Sequence, residues 1–227
     1  MADTGLQLAV VDALLLPEPY RTALRPGEAL RDAQGRERVL PRYFYEVPSW
    51  SAALELELTP HFALWEFLQV DVRETEAARV FPRYVPCAVT LLAVCLERFR
   101  ESVGTLVHIA TNGGYRTPAH QLTRHASPHC WATAADIYRI GDTYVDDEES
   151  IGKYQEIARA ALPGVWTRPF GPPPDFAQDH LHLDFGYVLS VPRDIAGAGI
   201  AGPGIEPVPE RRALDSSEPN LTAGEGA

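Results

Sequence analysis

Two short segments of the sequence, about fifty residues apart, concentrate side chains that bind metals, and a fold must bring the segments together before they can share one ion. The first carries His129 and, seven residues later, Asp136; the second carries His180, His182 and Asp184. Two imidazoles and one carboxylate are enough to hold a zinc ion with a fourth position open for water. The pattern therefore predicts a hydrolytic metal site, and it is the reason to interpret the chain as an enzyme.

The second segment has the alternation of a strand. His180, His182 and Asp184 are separated by single leucines, so on a strand their side chains point to the same face. One of them can then ligate a metal, one can take part in proton transfer, and one can orient a neighbour. The alternative is a hydrogen-bonded histidine pair on an edge strand. Asp136 favours the metal, because a carboxylate that follows a run of small apolar residues is costly to bury without a cation.

A third motif combines a turn with an arginine. Arg116 lies within Gly-Tyr-Arg-Thr-Pro-Ala-His, directly after a predicted turn at 111–114. A guanidinium that is held by a rigid turn can bind a carboxylate through two parallel hydrogen bonds. The alternative is a solvated arginine that takes no part in a site.

Charge and hydropathy exclude several classes of function. The 227 residues include 20 basic and 31 acidic side chains, a net charge of −11, and no basic cluster stands out. Binding to nucleic acid or to an anionic membrane surface is therefore disfavoured. No apolar run reaches the ~18 residues of a membrane span, and the N-terminus lacks the features of a signal peptide. We expect the chain to lack a membrane span and to be cytoplasmic when it is synthesised. It would reach any external target by release or by a non-standard export route.

The pattern along the chain predicts a mixture of helices and strands. Helices are predicted at 59–68, 86–99 and 152–162, and strands at the end of 49–58, at 105–110 and at 181–186. Residues 1–45 are interpreted as an N-terminal extension with one or two strands, 46–193 as the domain that carries the site, and 194–227 as a disordered tail. The extension is a candidate surface for a protein partner.

The three cysteines are interpreted as structural. Cys87 and Cys95 lie in an apolar stretch and are expected to pack there. Cys130 is not expected to bind the metal, because adjacent residues such as His129 and Cys130 rarely ligate the same ion.

The order of the three motifs resembles a known enzyme family. Gly-Tyr-Arg-Thr-Pro-Ala-His, then Ser-x-His with an aspartate seven residues after the histidine, then His-x-His-x-Asp is similar to the zinc D-alanyl-D-alanine carboxypeptidase family. That family includes the vancomycin-resistance D,D-dipeptidases and phage L-alanyl-D-glutamate endolysins, and the Hedgehog signalling domain shares its fold. The resemblance covers roughly residues 60–190. It implies an α+β fold in which a small, mostly antiparallel sheet with flanking helices carries one Zn²⁺ per chain, bound by His129, Asp136 and His182.

The resemblance also implies roles for neighbouring residues. Arg116 would bind the substrate carboxylate or stabilise the developing oxyanion, and Tyr115 and Ser127 would contribute to substrate binding. Asp184 would support a zinc ligand. The implied substrate is a peptidoglycan stem or cross-bridge peptide that contains a D-amino acid.

Two features of the resemblance are left open. Members of the family place the general base differently, so both Asp179 and His180 are candidates, with Asp179 slightly favoured. The chain also departs from the family pattern, with Ala132 where glycine is usual and Gln121 where asparagine is common. Ala132 costs around 1 kcal/mol if its φ is positive.

Two functions are compatible with these motifs. The first is a zinc metallopeptidase that hydrolyses peptidoglycan peptides through a metal-activated water. The second is a non-catalytic zinc-binding module of the same fold, acting as a structural or interaction component of a larger phage-like or secretion assembly. The presence of two candidate bases favours catalysis, because a non-catalytic module tends to lose the base.

Overall fold

The computed structural model describes residues 8–172 and 176–192, and it has the α+β architecture that the sequence predicts. In this part of the chain the helices are α1 (Glu18–Leu24), α2 (Trp50–Glu55), α3 (Glu76–Arg79), α4 (Val89–Val103) and α5 (Glu148–Ala161). The strands are β1 (Ala9–Asp12), β2 (Ala29–Arg31), β3 (Glu37–Val39), β4 (Tyr43–Glu46), β5 (Glu57–Thr59), β6 (Phe62–Ala63), β7 (Tyr84–Pro86), β8 (Val107–Ile109), β9 (Ala134–Ile140), β10 (Thr143–Tyr144), β11 (Trp166–Thr167) and β12 (Leu181–Asp184). The predicted disordered tail, 194–227, lies outside the described residues.

A five-stranded antiparallel sheet, the site sheet, carries the two histidine segments. Its central strand is β9, which pairs with β8 along one edge and with β12 and β10 along the other. β11 pairs with the outer edge of β12. Helices α4 and α5 pack against each other, while α4 contacts β9 and α5 contacts β11 and β12. The expected small antiparallel sheet with flanking helices is therefore confirmed.

The two long helices are placed as the sequence predicts, with shifted ends. α4 stops at Gly104, which takes the left-handed conformation with φ of 70° and so ends the helix at low cost. α5 starts at Glu148, earlier than predicted, because the carboxylate of Asp147 accepts the N–H of Ser150 at 2.7 Å and caps the first turn.

The segment between residues 49 and 68 agrees with the prediction in part. Ser49 caps a short helix that was not predicted, α2, by accepting the N–H of Ala52 at 3.1 Å, and the strand predicted at the end of 49–58 follows as β5. The helix predicted at 59–68 is wrong: the chain forms the β5–β6 pair and then one 3-10 turn over Leu64–Phe67. Thr59 does not cap a helix there, because the Glu97 carboxylate accepts its hydroxyl at 2.9 Å and also accepts the N–H of His61, which a capping threonine would bind, at 3.2 Å.

Residues 8–45 are built into the fold. β1 pairs with β4, and β4 pairs with β7, to form a second antiparallel sheet. Ala13, Leu24 and Phe44 are buried in the same hydrophobic cluster as residues of α4 and β9. The predicted boundary between residues 45 and 46 falls inside β4, so these residues share one core with the site.

Two further observations concern the sequence predictions. No helix within residues 8–172 and 176–192 is long and apolar enough to cross a membrane.

Cys87 and Cys130 are buried and Cys95 is half-buried, as expected for packing residues. Burial raises the pKa of the Cys87 thiol to about 12 and that of the Cys130 thiol to about 11, so both are uncharged at neutral pH.

Candidate metal centre

Two of the predicted ligands face each other across the site sheet. The antiparallel register of β9 and β12 places His182 directly opposite Asp136, and side chains in such a pair lie on the same face of the sheet. The Nδ1 atom of His182 lies 2.6 Å from Oδ1 of Asp136, and both residues are buried. Strand pairing therefore brings together two groups that are 46 positions apart in sequence.

The third predicted ligand, His129, approaches from a 3-10 helix, Pro128–Trp131, that leads into β9. Its Nδ1 lies 2.8 Å from the carbonyl oxygen of Gly114. Because a carbonyl can only accept, Nδ1 carries the proton and Nε2 keeps a free lone pair. That Nε2 is buried, lies 3.4 Å from Oδ2 of Asp136, and has no hydrogen-bond partner among the described residues. A buried ring nitrogen with an unused lone pair is what a metal ligand requires.

The electrostatics keep His129 and Asp136 in the forms that bind metals. Burial and the nearby positive charge of Arg116 lower the pKa of His129 to about 4, so the ring is neutral at pH 7. Burial raises the pKa of Asp136, but His129 and His182 outweigh it and hold this pKa well below its ordinary value. A neutral imidazole and an ionised carboxylate are the ligand forms of the two side chains. Burial lowers the pKa of His182, but the Asp136 carboxylate outweighs burial and raises this pKa above its ordinary value.

One cation can therefore be held by all three groups. One ligand atom from each of His129, Asp136 and His182 lies within 4.8 Å of the others, and all three residues are buried. The unpartnered Nε2 of His129 and the buried carboxylate fit a metal ion, which would satisfy both.

The two candidate bases occupy different positions. The Nε2 atom of His180 lies 3.4 Å from Oδ1 of Asp136 and is buried without a hydrogen-bond partner in the described part of the chain. Its Nδ1 lies 2.7 Å from Oδ1 of Asp179, whose side chain is 78% exposed. The geometry is that of an imidazole directed at the ligand cluster with a carboxylate behind it.

Arg116 also reaches the ligand cluster. Its Nη1 lies 3.7 Å from Oδ2 of Asp136, and its buried Nε has no hydrogen-bond partner among residues 8–172 and 176–192. Burial lowers the pKa of the guanidinium from its ordinary value, and the charge of Asp136 opposes that shift. The predicted turn therefore delivers a cation with an unused N–H donor to the edge of the site.

Three other residues predicted for the site lie in different surroundings. Asp184 places Oδ2 3.8 Å from Nε2 of His182, which is close enough for an electrostatic contact and too long for a hydrogen bond. Ser127 precedes the 3-10 helix and lines a cleft beside the cluster. Tyr115 is 2% exposed and packs in the hydrophobic core, and it does not line that cleft.

Ala132 takes the left-handed conformation that glycine would adopt at no cost. Its φ is 54° and it ends the 3-10 helix that carries His129. An L-residue pays about 1 kcal/mol for this conformation. Glycine is therefore the residue that the backbone favours here, and the chain carries alanine in its place.

A buried polar network supports the loop that presents Arg116, and sequence reasoning missed it. The Glu74 carboxylate accepts the N–H of Thr117 at 3.0 Å and its hydroxyl at 2.7 Å. His120 donates from Nε2 to Oδ1 of Asn112 at 3.1 Å, and the same oxygen accepts the N–H of Asp71 at 3.0 Å. The contacts of Glu74 with Thr117 and of Asp71 with Asn112 join segments 43 and 41 residues apart, so no local sequence pattern predicts them.

Arginines beside the cluster were also missed. A cleft of about 810 Å³ begins at His182 and Asp184 and extends to the hairpin formed by β2 and β3. Its lining includes Arg36, Arg38 and Arg168. These residues are scattered singly along the sequence, and only the fold brings them to one cavity.

Comparisons of the chain with protein-family models, with curated proteins and with solved structures found no match.

Proposed function

We propose that this chain is a zinc peptidase of the D-alanyl-D-alanine carboxypeptidase type, which hydrolyses peptidoglycan peptides that contain a D-amino acid. The observation that carries the proposal is the convergence of His129, Asp136 and His182, whose ligand atoms lie within 4.8 Å of one another. Two imidazole nitrogens and one carboxylate oxygen suit zinc, and a three-residue ligand set leaves a position open for water. The peptidoglycan substrate rests on the resemblance of the three sequence motifs.

Zinc bound by these three residues would lower the pKa of a bound water to about 7 and would polarise the scissile carbonyl. The chain supplies the groups that move protons. The unpartnered Nε2 of His180 faces the cluster, so His180 is the residue placed to accept a proton from the attacking water and to return it to the leaving amine. Asp179 holds the opposite ring nitrogen at 2.7 Å and supports the protonated imidazole. The proposal therefore assigns the base to His180, although the family resemblance slightly favoured Asp179.

Arg116 supplies the second cation of the proposed site. Its guanidinium lies at 3.7 Å from a carboxylate oxygen of the ligand Asp136 and has an unpartnered buried Nε. It can therefore bind the substrate carboxylate or stabilise the negative charge that develops on the carbonyl oxygen. The peptide bond would then be attacked between His180 on one side and Arg116 on the other.

The proposed function is tested by mass spectrometry of soluble fragments released from purified peptidoglycan. The zinc-loaded chain should release D-alanine or cleaved stem peptides. A chelated sample and a His129→Ala variant should release neither. A folded chain that holds one zinc ion and releases nothing would contradict the peptidase and favour the non-catalytic module.

A further inference from the structure

The cleft beside the ligand cluster carries positive charge on a strongly acidic chain. We propose that this cleft, lined by Arg36, Arg38 and Arg168, is a subsite that binds a carboxylate of an acidic peptide, at a distance from the scissile bond. The inference rests on the proposed peptidase function and extends it to the substrate class. It gives the enzyme a preference for peptides with an acidic residue next to the cleaved segment.

The charge balance of the cleft favours an anion. Asp184 is an acidic side chain in the lining, and Asp32 lies behind the hairpin arginines. Three guanidinium groups counted together with these two carboxylates give a net charge of +1, whereas the chain as a whole carries −11. An excess of guanidinium groups inside a concave site attracts carboxylates.

The hairpin arginines are held in position before any ligand binds. The side chain of Asp32 is fully buried and receives Nε of Arg36 and Nε of Arg38, each at 3.0 Å. Arg38 also lies over the ring of Tyr187, with 4.5 Å from its guanidinium carbon to the ring centre. Each guanidinium has five N–H donors, so donors remain for a ligand. Because the side chains are already ordered, binding costs less conformational entropy.

The hairpin is itself fixed to the wall of the metal centre. Trp131 donates from Nε1 to the carbonyl of Val39 at 3.1 Å, and the N–H of Ala126 donates to the carbonyl of Arg31 at 2.8 Å. Tyr187 donates its hydroxyl to the carbonyl of Ala126 at 3.1 Å. Trp131 directly follows His129 and Cys130, so the hairpin and the ligand-bearing turn are joined through a few contacts.

Arg168 marks the end of the cleft nearest the metal ligands. Its N–H lies 3.4 Å from the carbonyl of His182, because β11 pairs with β12 just before it. Trp166, 49% exposed, packs its ring edge-on against His182 with 5.6 Å between ring centres. The cleft thus offers an aromatic wall and a guanidinium beside the ligands, with two more guanidiniums on the hairpin. Its volume of about 810 Å³ is that of a site for a ligand of several residues.

The test measures binding rather than turnover. Isothermal titration uses zinc-loaded protein that carries His180→Ala, so that the peptides are not hydrolysed during the measurement. It compares pairs of pentapeptides that end in D-alanine and differ only in having glutamate or glutamine at one internal position, and that position is moved along the peptide from pair to pair. We expect the protein that is otherwise wild type to bind one glutamate peptide about tenfold more tightly than its glutamine counterpart, as for a charge-assisted hydrogen bond. Arg168→Gln and Arg36→Gln should each reduce this ratio below about threefold.

Arg31→Gln is the matched control. Arg31 is an exposed arginine on the same hairpin that does not line the cleft, so this variant should keep the wild-type ratio. Equal binding of the two peptides at every position by the otherwise wild-type protein, or a ratio that Arg168→Gln leaves unchanged, would overturn the subsite. Hydrolysis of the same peptides by the zinc-loaded wild-type chain with His180 intact is measured in parallel. Tighter binding of a glutamate peptide without hydrolysis supports the subsite and contradicts the peptidase. Hydrolysis without a difference in binding between the glutamate and glutamine peptides overturns the subsite alone. Thermal melting of each variant verifies that it is folded. If Arg36→Gln does not fold, Arg168→Gln alone still tests the subsite.

Discussion

At the scale of single residues, His180 and Asp179 have unequal places in the proposed site. Nε2 of His180 faces Asp136 at 3.4 Å, whereas Asp179 contacts only the far nitrogen of the same ring at 2.7 Å. We expect His180→Ala to lower kcat/KM by about 10²–10⁴-fold, the usual contribution of a general base. Asp179→Asn should lower it by about tenfold or less, because the imidazole remains in place. Steady-state kinetics on a released stem peptide measure both, and a larger loss in Asp179→Asn than in His180→Ala would make Asp179 the base.

The role of Arg116 is separable from metal binding. Its guanidinium lies 3.7 Å from Asp136 and ligates nothing itself. We expect Arg116→Ala to lower kcat/KM by about 10²–10³-fold, as for the loss of a group that stabilises an oxyanion. The zinc content, measured by atomic emission on dialysed protein, should stay near that of the wild type. A variant that loses zinc and activity in equal measure would show that Arg116 acts through the ligands.

Gly114 supports His129 through its backbone. A Cβ at this position would lie 2.5 Å from the carbonyl oxygen of Phe67, and the Gly114 carbonyl accepts the Nδ1 proton of His129. We expect Gly114→Ala to lower the free energy of unfolding by about 1–3 kcal/mol and to weaken zinc binding by about 10–100-fold. Urea unfolding and competition with a chelating dye measure the two effects.

Gly152→Ala is the control for that substitution. Gly152 lies inside α5, and a Cβ there would meet no atom within 4 Å. Alanine should stabilise the helix by up to about 1 kcal/mol and leave zinc binding unchanged. Equal effects of the two substitutions would contradict the role of Gly114.

The sequence predicted the centre of the site better than its surroundings. The motifs predicted a metal site, and the family resemblance implied His129, Asp136 and His182 as its ligands, whose ligand atoms do converge. The Gly114 carbonyl and Arg168 could not be found in this way, because their places depend on which strands and turns meet. Backbone groups carry no sequence signal, and a single arginine is more often a solvated side chain.

At the scale of the elements, the β2–β3 hairpin depends on a buried carboxylate. Burial raises the pKa of Asp32, but the N–H groups of Arg36 and Gln34 and the guanidiniums of Arg38 and Arg36 outweigh it and hold the pKa at about 2. This pKa lies below the ordinary value of 3.8, so the ionised carboxylate stabilises the folded state above about pH 4. That stability is lost as the pH falls from about 4 to about 2.

Asp32→Asn should therefore remove a pH-dependent part of the stability. The difference in free energy of unfolding between the wild type and this variant should be constant above about pH 4 and should shrink towards pH 2. Urea unfolding at several pH values measures it. Asp142→Asn, a change at an exposed carboxylate in the turn between β9 and β10, is the control. A difference that does not change with pH would show that Asp32 acts through packing alone.

Elements were predictable where the signal is local. α4, α5, β8 and β12 follow from hydropathy and from residues at their ends, such as Gly104. The segment around Thr59 was predicted incorrectly, because Glu97 in a distant helix accepts both the Thr59 hydroxyl and the N–H of His61. A threonine followed by proline favours a helix start only when the N–H groups of the first turn are free to be capped.

At the scale of the whole molecule, the N-terminal residues complete the site as well as the core. β1 adds a strand beside β4, and the β2–β3 hairpin forms one wall of the cleft next to His182. Val39 accepts a hydrogen bond from Trp131, which lies in the same 3-10 helix as His129. Residues 8–45 are therefore part of the architecture that presents the ligands, although their composition suggested an extension.

The metal should stabilise the whole fold, because its ligands come from separate parts of the chain. His129 lies on a 3-10 helix, Asp136 on β9 and His182 on β12. An ion that binds only the folded state at about 1,000 times its Kd adds about 4 kcal/mol to the free energy of unfolding. For a chain of this size, we expect chelation of zinc to lower the Tm by about 10 °C. The His129→Ala variant should melt at the same temperature with and without the chelator. The Tm of the wild type could instead stay unchanged after verified removal of the metal. That result would show that the ligand cluster is stable without the metal and that metal binding is not coupled to folding.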